Sequence, residues 1–159
     1  MCIHRLIYKS IATDEVVSNK TLQDLESQAT WSNGEKGITG LLMLSGNAFL
    51  QVLEGQAHDL TELFGRIMQD RRHQQVELIT FEKIFERSFS DWNLRLVDLH
   101  DMPGQQRALM STKYRKSEGN IAIPEELNEV YALLLDARFI CLSAPWIAKD
   151  SGGNKARSA

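Results

Sequence analysis

The sequence predicts an α+β fold: a ferredoxin-like βαββαββ unit with two helices on one face of a five-stranded sheet, followed by C-terminal helices. Three observations carry that prediction. Apolar runs of strand length alternate with two segments whose apolar residues recur at spacings of three and four. The second and third of those runs are joined by only Ser45-Gly46-Asn47, a hairpin signal. After the last strand-like run, helical periodicity takes over.

Ile3 to Tyr8 is apolar enough for a buried first strand, with Leu6 and Tyr8 on one face, and Ser10 to Asn19 is a polar connection. Leu22, Leu25 and Ala29 mark the first helix, capped by Ser18 or Thr21 and stopping near Ser32-Asn33-Gly34. Ile38 to Leu44 and Ala48 to Glu54 are the hairpin strands. Leu60, Leu63, Phe64, Ile67 and Met68 form the apolar stripe of a second, core-facing helix. Val76 to Ile84 and Trp92 to Val97 read as two further strands, separated by a charged turn around Glu86-Arg87-Ser88. Both helices are expected on one face of an antiparallel sheet, leaving a groove between them with strand side chains as its floor.

From His100 to Gly119 the chain reads as a linker with one weak helix, broken at Pro103-Gly104. Pro124 suits the first turn of another helix, striped by Leu127, Val130, Tyr131 and Leu134. That stripe is expected to cover the open face of the sheet, since a sheet with helices on one side must bury its other apolar face. A last apolar segment runs from Phe139 to Ile147. The domain boundaries that result are 1–100, 101–150 for the helical extension, and 151–159 for a disordered tail.

Composition narrows the function. The 159 residues are 43% hydrophobic and 25% charged with a net charge of −3, the profile of a globular domain. Basic residues cluster only at Asp70-Arg71-Arg72-His73, which argues against a nucleic-acid surface. No signal-peptide pattern, no bilayer-length apolar run and only two cysteines, Cys2 and Cys141, make a reducing cytoplasm the expected compartment. His4, His58, His73 and His100 lack metal-ligand spacing, and no phosphate-binding loop or nucleophile elbow is present.

One residue resists this ordinary reading. Gln51 lies inside Ala48-Phe49-Leu50-Gln51-Val52-Leu53, where both strand faces are apolar. A buried amide without partners costs roughly 1–3 kcal/mol, so either a structural partner or a ligand must satisfy it. Arg66, Asp70 and His73 line one edge of the second helix's stripe, as a solvated edge with an Arg–Asp pair or as the border of a ligand groove. Asn33 reads alone as a helix cap and Tyr8 as a core tyrosine. Together Tyr8, Asn33, Gln51, Arg66 and Asp70 can converge on one mostly apolar pocket, suited to a planar heteroaromatic ligand.

The motifs around these residues resemble the BLUF family, blue-light sensors that use FAD. The resemblance covers roughly residues 2–98. It rests on Arg5-Leu6-Ile7-Tyr8, Gly37-Ile38-Thr39-Gly40-Leu41-Leu42, Phe49-Leu50-Gln51-Val52-Leu53-Glu54-Gly55, the segment Arg66 to His73, and Arg87-Ser88-Phe89-Ser90-Asp91-Trp92. It implies that Tyr8 is the photoactive tyrosine and Gln51 the switching glutamine. It further implies that Asn33 holds the flavin's carbonyl and imide edge, with Arg66 and Asp70 at the pyrimidine end and His73 on the ribityl–phosphate side. Trp92 and Leu94 would relay the signal along the fifth strand. Two departures stand out. Ser32 replaces one of two adjacent asparagines, and Leu94 replaces a methionine and brings no thioether acceptor.

The activity implied is light-driven electron and proton transfer from Tyr8, followed by exchange of hydrogen bonds at Gln51 through rotation or tautomerisation. No substrate turnover is implied. The implied cofactor is FAD, with FMN or riboflavin as substitutes in recombinant protein. The implied partners are a separate downstream signalling protein and further copies of the chain, with neither nucleic acid nor membrane. Two other readings stay open from the residues alone: a flavin-free acylphosphatase-type hydrolase, and a non-catalytic protein-interaction module.

Overall fold

The computed structural model describes residues 2–13, 19–114 and 121–143. Its elements are β1 (Ile3–Ala12), α1 (Asn19–Glu35), β2 (Thr39–Ser45), β3 (Ala48–Gly55), α2 (Ala57–Gln69), β4 (His73–Ile84), β5 (Arg95–Asp98), α3 (Gly104–Lys113) and α4 (Leu127–Ser143). They form two compact units that divide between Leu99 and His100.

In the first unit the strands form one sheet in the order β4-β1-β3-β2-β5. The first four strands pair antiparallel, whereas β5 joins β2 in parallel. The sheet is therefore mixed, and the fifth strand lies at the edge opposite β4. The turn between β2 and β3 reduces to Gly46-Asn47, and Gly46 takes the positive φ of +61° that a tight hairpin demands of its first central residue. At Gly40 the backbones of β2 and β3 crowd so closely that a Cβ would lie 2.1 Å from the Val52 carbonyl oxygen. Only glycine fits there.

Reaching β5 from β4 takes the chain across the end of the sheet, and a buried carboxylate holds that crossing. Glu54, fully buried at the end of β3, accepts from Arg5 Nε at 2.9 Å and from the backbone amides of Ser88 and Phe89 at 3.1 and 2.9 Å. Arg5 also donates to Ser88 Oγ at 2.8 Å. Arg87 ties the same segment to the Gly37 carbonyl at 2.7 Å, to Thr39 Oγ1 at 2.8 Å and to the Glu54 carbonyl at 2.7 Å. A charge taken out of water is tolerated only with such full pairing.

Two apolar clusters lie under the two helices. Leu22 of α1 packs with Leu42, Leu44, Phe49 and Leu94, flanked by Leu25, Ala29 and Leu96. Leu60 of α2 packs with Leu6, Tyr8, Ile38 and Leu53, flanked by Leu63, Phe64, Ile67 and Val76. Gln51 and Asn33, both nearly inaccessible, are among the few buried polar residues. On the other face of β3, Leu50 and Val52 are fully buried as well, which matches the two-sided apolar pattern of that strand.

Several boundaries differ from the sequence reading, each for a local reason. β1 continues to Ala12 because Ile11 and Ala12 pair with both neighbouring strands or their turns, so the polar connection is shorter than expected. α1 runs past Asn33 to Glu35, and the left-handed stop falls at Gly37, with φ +64°. α2 ends at Gln69, where Asp70 turns to an extended conformation. β5 starts at Arg95, so Trp92 precedes the strand, where its carbonyl accepts from the Gly40 amide at 3.0 Å.

The second unit contains α3 and α4. Lys113 and the Tyr114 hydroxyl both reach Asp136 on α4, at 2.7 and 2.5 Å, joining the end of one helix to the middle of the other. Burial and the neighbouring Asp136 carboxylate push the Tyr114 phenol well above its ordinary pKa. α4 continues through Phe139 to Ser143, so the expected separate segment from Phe139 begins as its last turns. The expected Ser18 cap, the rest of that segment and the tail 151–159 lie outside the described residues. Cys2 is exposed, Cys141 is buried, and neither forms a disulfide among the described residues. Among the described residues no helix is long and apolar enough to cross a membrane, and no cluster of side chains could hold a metal.

Candidate flavin-binding cavity

A cavity of about 310 Å3 opens between α1 and α2 over the middle of the sheet. This is near the lower end of the ~300–1,000 Å3 range of small-molecule sites. Leu25 and Ala29 of α1 form one wall and Leu63 and Ile67 of α2 the other, with Leu42, Phe49 and Leu94 among the floor residues. Polar groups are few and sit among these apolar walls.

At the floor, Tyr8 and Gln51 face each other as register partners of β1 and β3. The Tyr8 hydroxyl donates to Gln51 Oε1. Among the described residues no protein group accepts from Gln51 Nε2, so the donor end of the amide remains for the cavity. Burial pushes the Tyr8 phenol well above its ordinary pKa; Asp70 adds to the shift and Arg72 opposes it. Tyr8 is therefore a protonated donor throughout the physiological range, and it packs against Phe64 with ring centroids 5.5 Å apart.

Asn33 lies in the last turns of α1. Its Nδ2 donates to the Asn93 carbonyl at 2.9 Å, which leaves Oδ1 as an acceptor, and Asn93 is itself fixed by donating to the Ile38 carbonyl at 2.9 Å. Ser32 lines the cavity beside it.

At the α2 end, the expected pairing of Arg66 with Asp70 is replaced. Because the helix stops at Gln69, Asp70 turns to meet Arg72, accepting from its backbone amide and Nε at 2.9 Å and from Nη2 at 2.5 Å. Partial burial opposes ionisation of Asp70, yet these bonds outweigh it and hold the carboxyl below its usual range. Among the described residues Arg66 has no such partner, and it stands exposed at the rim. His73, now the first residue of β4, has both ring nitrogens engaged. Its Nε2 lies 2.6 Å from the Ile67 carbonyl, which can only accept, so this nitrogen carries a proton, and in the neutral ring Ser10 Oγ donates to Nδ1 at 2.8 Å.

Tyr8, Ser32, Asn33, Gln51, Arg66, Asp70, His73 and Leu94 thus all line one cavity. Trp92 does not line it. The sequence reading missed Ser10, Arg72 and Asn93. Arg72 was visible in the basic run after Asp70, but its role depends on where α2 stops. Ser10 and Asn93 carry no signal of their own: the sequence reads Ser10 as the start of a polar connection, and Asn93 as one residue of the strand from Trp92 to Val97, whereas Asn93 precedes that strand.

The chemistry of this set fits a flavin. Apolar walls on both sides suit a flat aromatic ring system. The free donor of Gln51, the acceptor of Asn33 and the guanidinium of Arg66 suit a polar edge that alternates acceptors and donors.

Comparison with known proteins points the same way. A family profile described as "BLUF: Sensors of blue-light using FAD" matches residues 3–95. The photoactivated adenylate cyclase subunit beta of Euglena longa is 34% identical over 94 residues, which is 58% of this chain and 11% of that protein. The blue light- and temperature-regulated antirepressor BluF of Escherichia coli (strain K12) is 33% identical over 95 residues, 59% of this chain and 23% of that one. The chain therefore spans only a small part of the length of these relatives. Among solved structures, the ground state of BlsA superposes with a TM-score of 0.70 at 27% identity, covering 84% of this chain and 87% of that one. The dark state of BlrB, a BLUF protein, gives 0.57 at 28% identity, covering 68% and 90%.

Proposed function

The chain belongs to the BLUF family of blue-light sensors using FAD, and from that premise we propose that it is a photoreceptor in which Tyr8 and Gln51 form the light-operated switch. The observation that carries the proposal is the Tyr8–Gln51 hydrogen bond on the cavity floor, with the other end of the amide left to the cavity. An asymmetric amide between two different partners is a two-position device, because exchanging its ends exchanges its bonds.

FAD, when bound, supplies the blue absorption and, once excited, the power to accept an electron. Tyr8 gives up an electron and its hydroxyl proton and recovers both, so no net chemistry remains. Gln51 is left with its donor and acceptor ends exchanged, by rotation or tautomerisation. Asn33, Arg66 and Asp70 hold the polar edge of the ring, Asp70 with its charge already fixed by Arg72. Apolar walls keep water from offering Gln51 alternative partners. His73 supports the cavity from β4 through its bonds to Ser10 and Ile67. With no acceptor for its Nε2 among the described residues, Gln51 is poorly explained as a satisfied core group, which weakens both the hydrolase and the plain interaction-module readings.

The chain turns over no substrate in this reading, and its output passes to a separate cytoplasmic partner protein, with self-association as part of the signalling assembly. A signalling output is supported by the relatives, in which the matching region is a small part of proteins named as photoactivated cyclases and as a blue light-regulated antirepressor. The test is spectroscopic. Purified protein supplemented with FAD is expected to be yellow and to show a reversible red shift under blue light. Colourless protein after supplementation rejects the reading.

A further inference from the structure

The exposed edge of β5 is not bare. Three side chains of α1, spaced i, i+4 and i+7 on one helix face, bond to the backbone leading into and along that strand. Glu26 Oε2 accepts from the Leu96 amide at 2.5 Å, Thr30 Oγ1 donates to the Leu94 carbonyl at 3.2 Å, and Asn33 Nδ2 donates to the Asn93 carbonyl at 2.9 Å. Since β5 is the outermost strand, with β2 on its inner side, these side chains from the helix above take up backbone groups at the sheet's edge that a further strand could otherwise pair.

This ladder reaches the cavity at two points. Leu94 lines the cavity while its carbonyl is held by Thr30, and Asn33 lines it while its amide is spent on Asn93. Glu26 does not line it. The four-residue strand is held along β2 by its parallel pairing and by the backbone bonds that flank it, Trp92 to Gly40 and Leu99 to Leu44, and the ladder from α1 adds a hold on its other side.

We infer that Glu26 and Thr30 are positioning residues for the light response: they hold β5, and with it Leu94, in the dark arrangement, and the exchange at Gln51 must work against that hold. The inference rests on the photoreceptor reading. It predicts that loosening the ladder leaves the photochemistry intact and favours the light-adapted arrangement. Glu26→Ala and Thr30→Val should each bind flavin and give the full red shift. Dark recovery should slow by roughly three- to tenfold, the effect of removing one hydrogen bond that has already re-formed in the transition state for return to the dark arrangement. Glu26→Gln, which keeps an acceptor oxygen, should recover at nearly the wild-type rate.

The measurement is dark-recovery kinetics of the FAD-loaded full chain after a blue flash, with hydrogen exchange at the Leu96 amide in the dark as a second reading. Faster exchange in Glu26→Ala together with slowed recovery supports the inference. Wild-type recovery in both Glu26→Ala and Thr30→Val overturns it, even where exchange at Leu96 has risen, because the ladder would then be structural only. If Glu26→Ala fails to fold, Thr30→Val, which keeps side-chain volume, decides alone. A wild-type chain that shows no red shift at all is a distinct result, which removes the photoreceptor reading itself and the positioning role with it.

Discussion

The Tyr8 hydroxyl donates to Gln51 Oε1 directly across the β1–β3 ladder, where the two residues are register partners. The contact is thereby fixed by backbone pairing and not by flexible loops. Two consequences of this placement, and three of the frame around it, are measurable.

Removing the Tyr8 hydroxyl should separate binding from photochemistry. Tyr8→Phe keeps the ring that packs on Phe64 but deletes the donor to Gln51. The variant is expected to bind FAD and to show no reversible red shift in light-minus-dark absorbance spectra. A wild-type photocycle in this variant would remove Tyr8 from the mechanism.

Much of this site was legible before any coordinates. Gln51 announced itself as an amide in a strand apolar on both faces, and the stripe of α2 placed one wall of the groove. What escaped the sequence were features set by chain ends and crossings. The stop of α2 at Gln69 turns Asp70 away from Arg66 and toward Arg72, and no residue between 66 and 70 signals that stop. The crossing that leads to the parallel β5 is held by Glu54 collecting Arg5, Ser88 and Phe89, with directly bonded residues up to 83 positions apart, which local periodicity does not encode.

Glu54 should be among the costliest residues to lose. Glu54→Ala would leave two backbone amides without their acceptor and take from the largely buried Arg5 guanidinium its nearest carboxylate, with Glu82 at 3.7 Å as the carboxylate that remains. Breaking a buried pair in this way costs about 3–5 kcal/mol. Urea unfolding of the two proteins is expected to show a drop of that order, and Glu54→Gln a smaller one.

Gly40→Ala tests the closeness of β2 and β3. The added methyl would meet the Val52 carbonyl oxygen at 2.1 Å, backbone against backbone, so the strands must separate. A destabilisation of at least ~1–3 kcal/mol is expected in urea melts. An unchanged midpoint would contradict the described register.

The Asp70–Arg72 pair sets a pH dependence. The Asp70 carboxyl titrates lower in the folded protein than in the unfolded chain. Its contribution is therefore fully present above the unfolded value, near ~3.9, and is lost as pH falls through the lower native value. Because the pair is partly exposed, the contribution is about 0.5 kcal/mol after solvent screening. Asp70→Asn should flatten the dependence of stability on pH below ~4 by that amount, measured by urea unfolding at pH 3 and 5.

The central claim is that Gln51 is the switch. The most direct measurement is the light-minus-dark absorbance difference of the FAD-loaded chain, taken side by side for wild type and Gln51→Leu. Both proteins should be yellow, with a reversible red shift in the wild type and none in Gln51→Leu. A red shift of normal size and reversibility in Gln51→Leu would contradict the account.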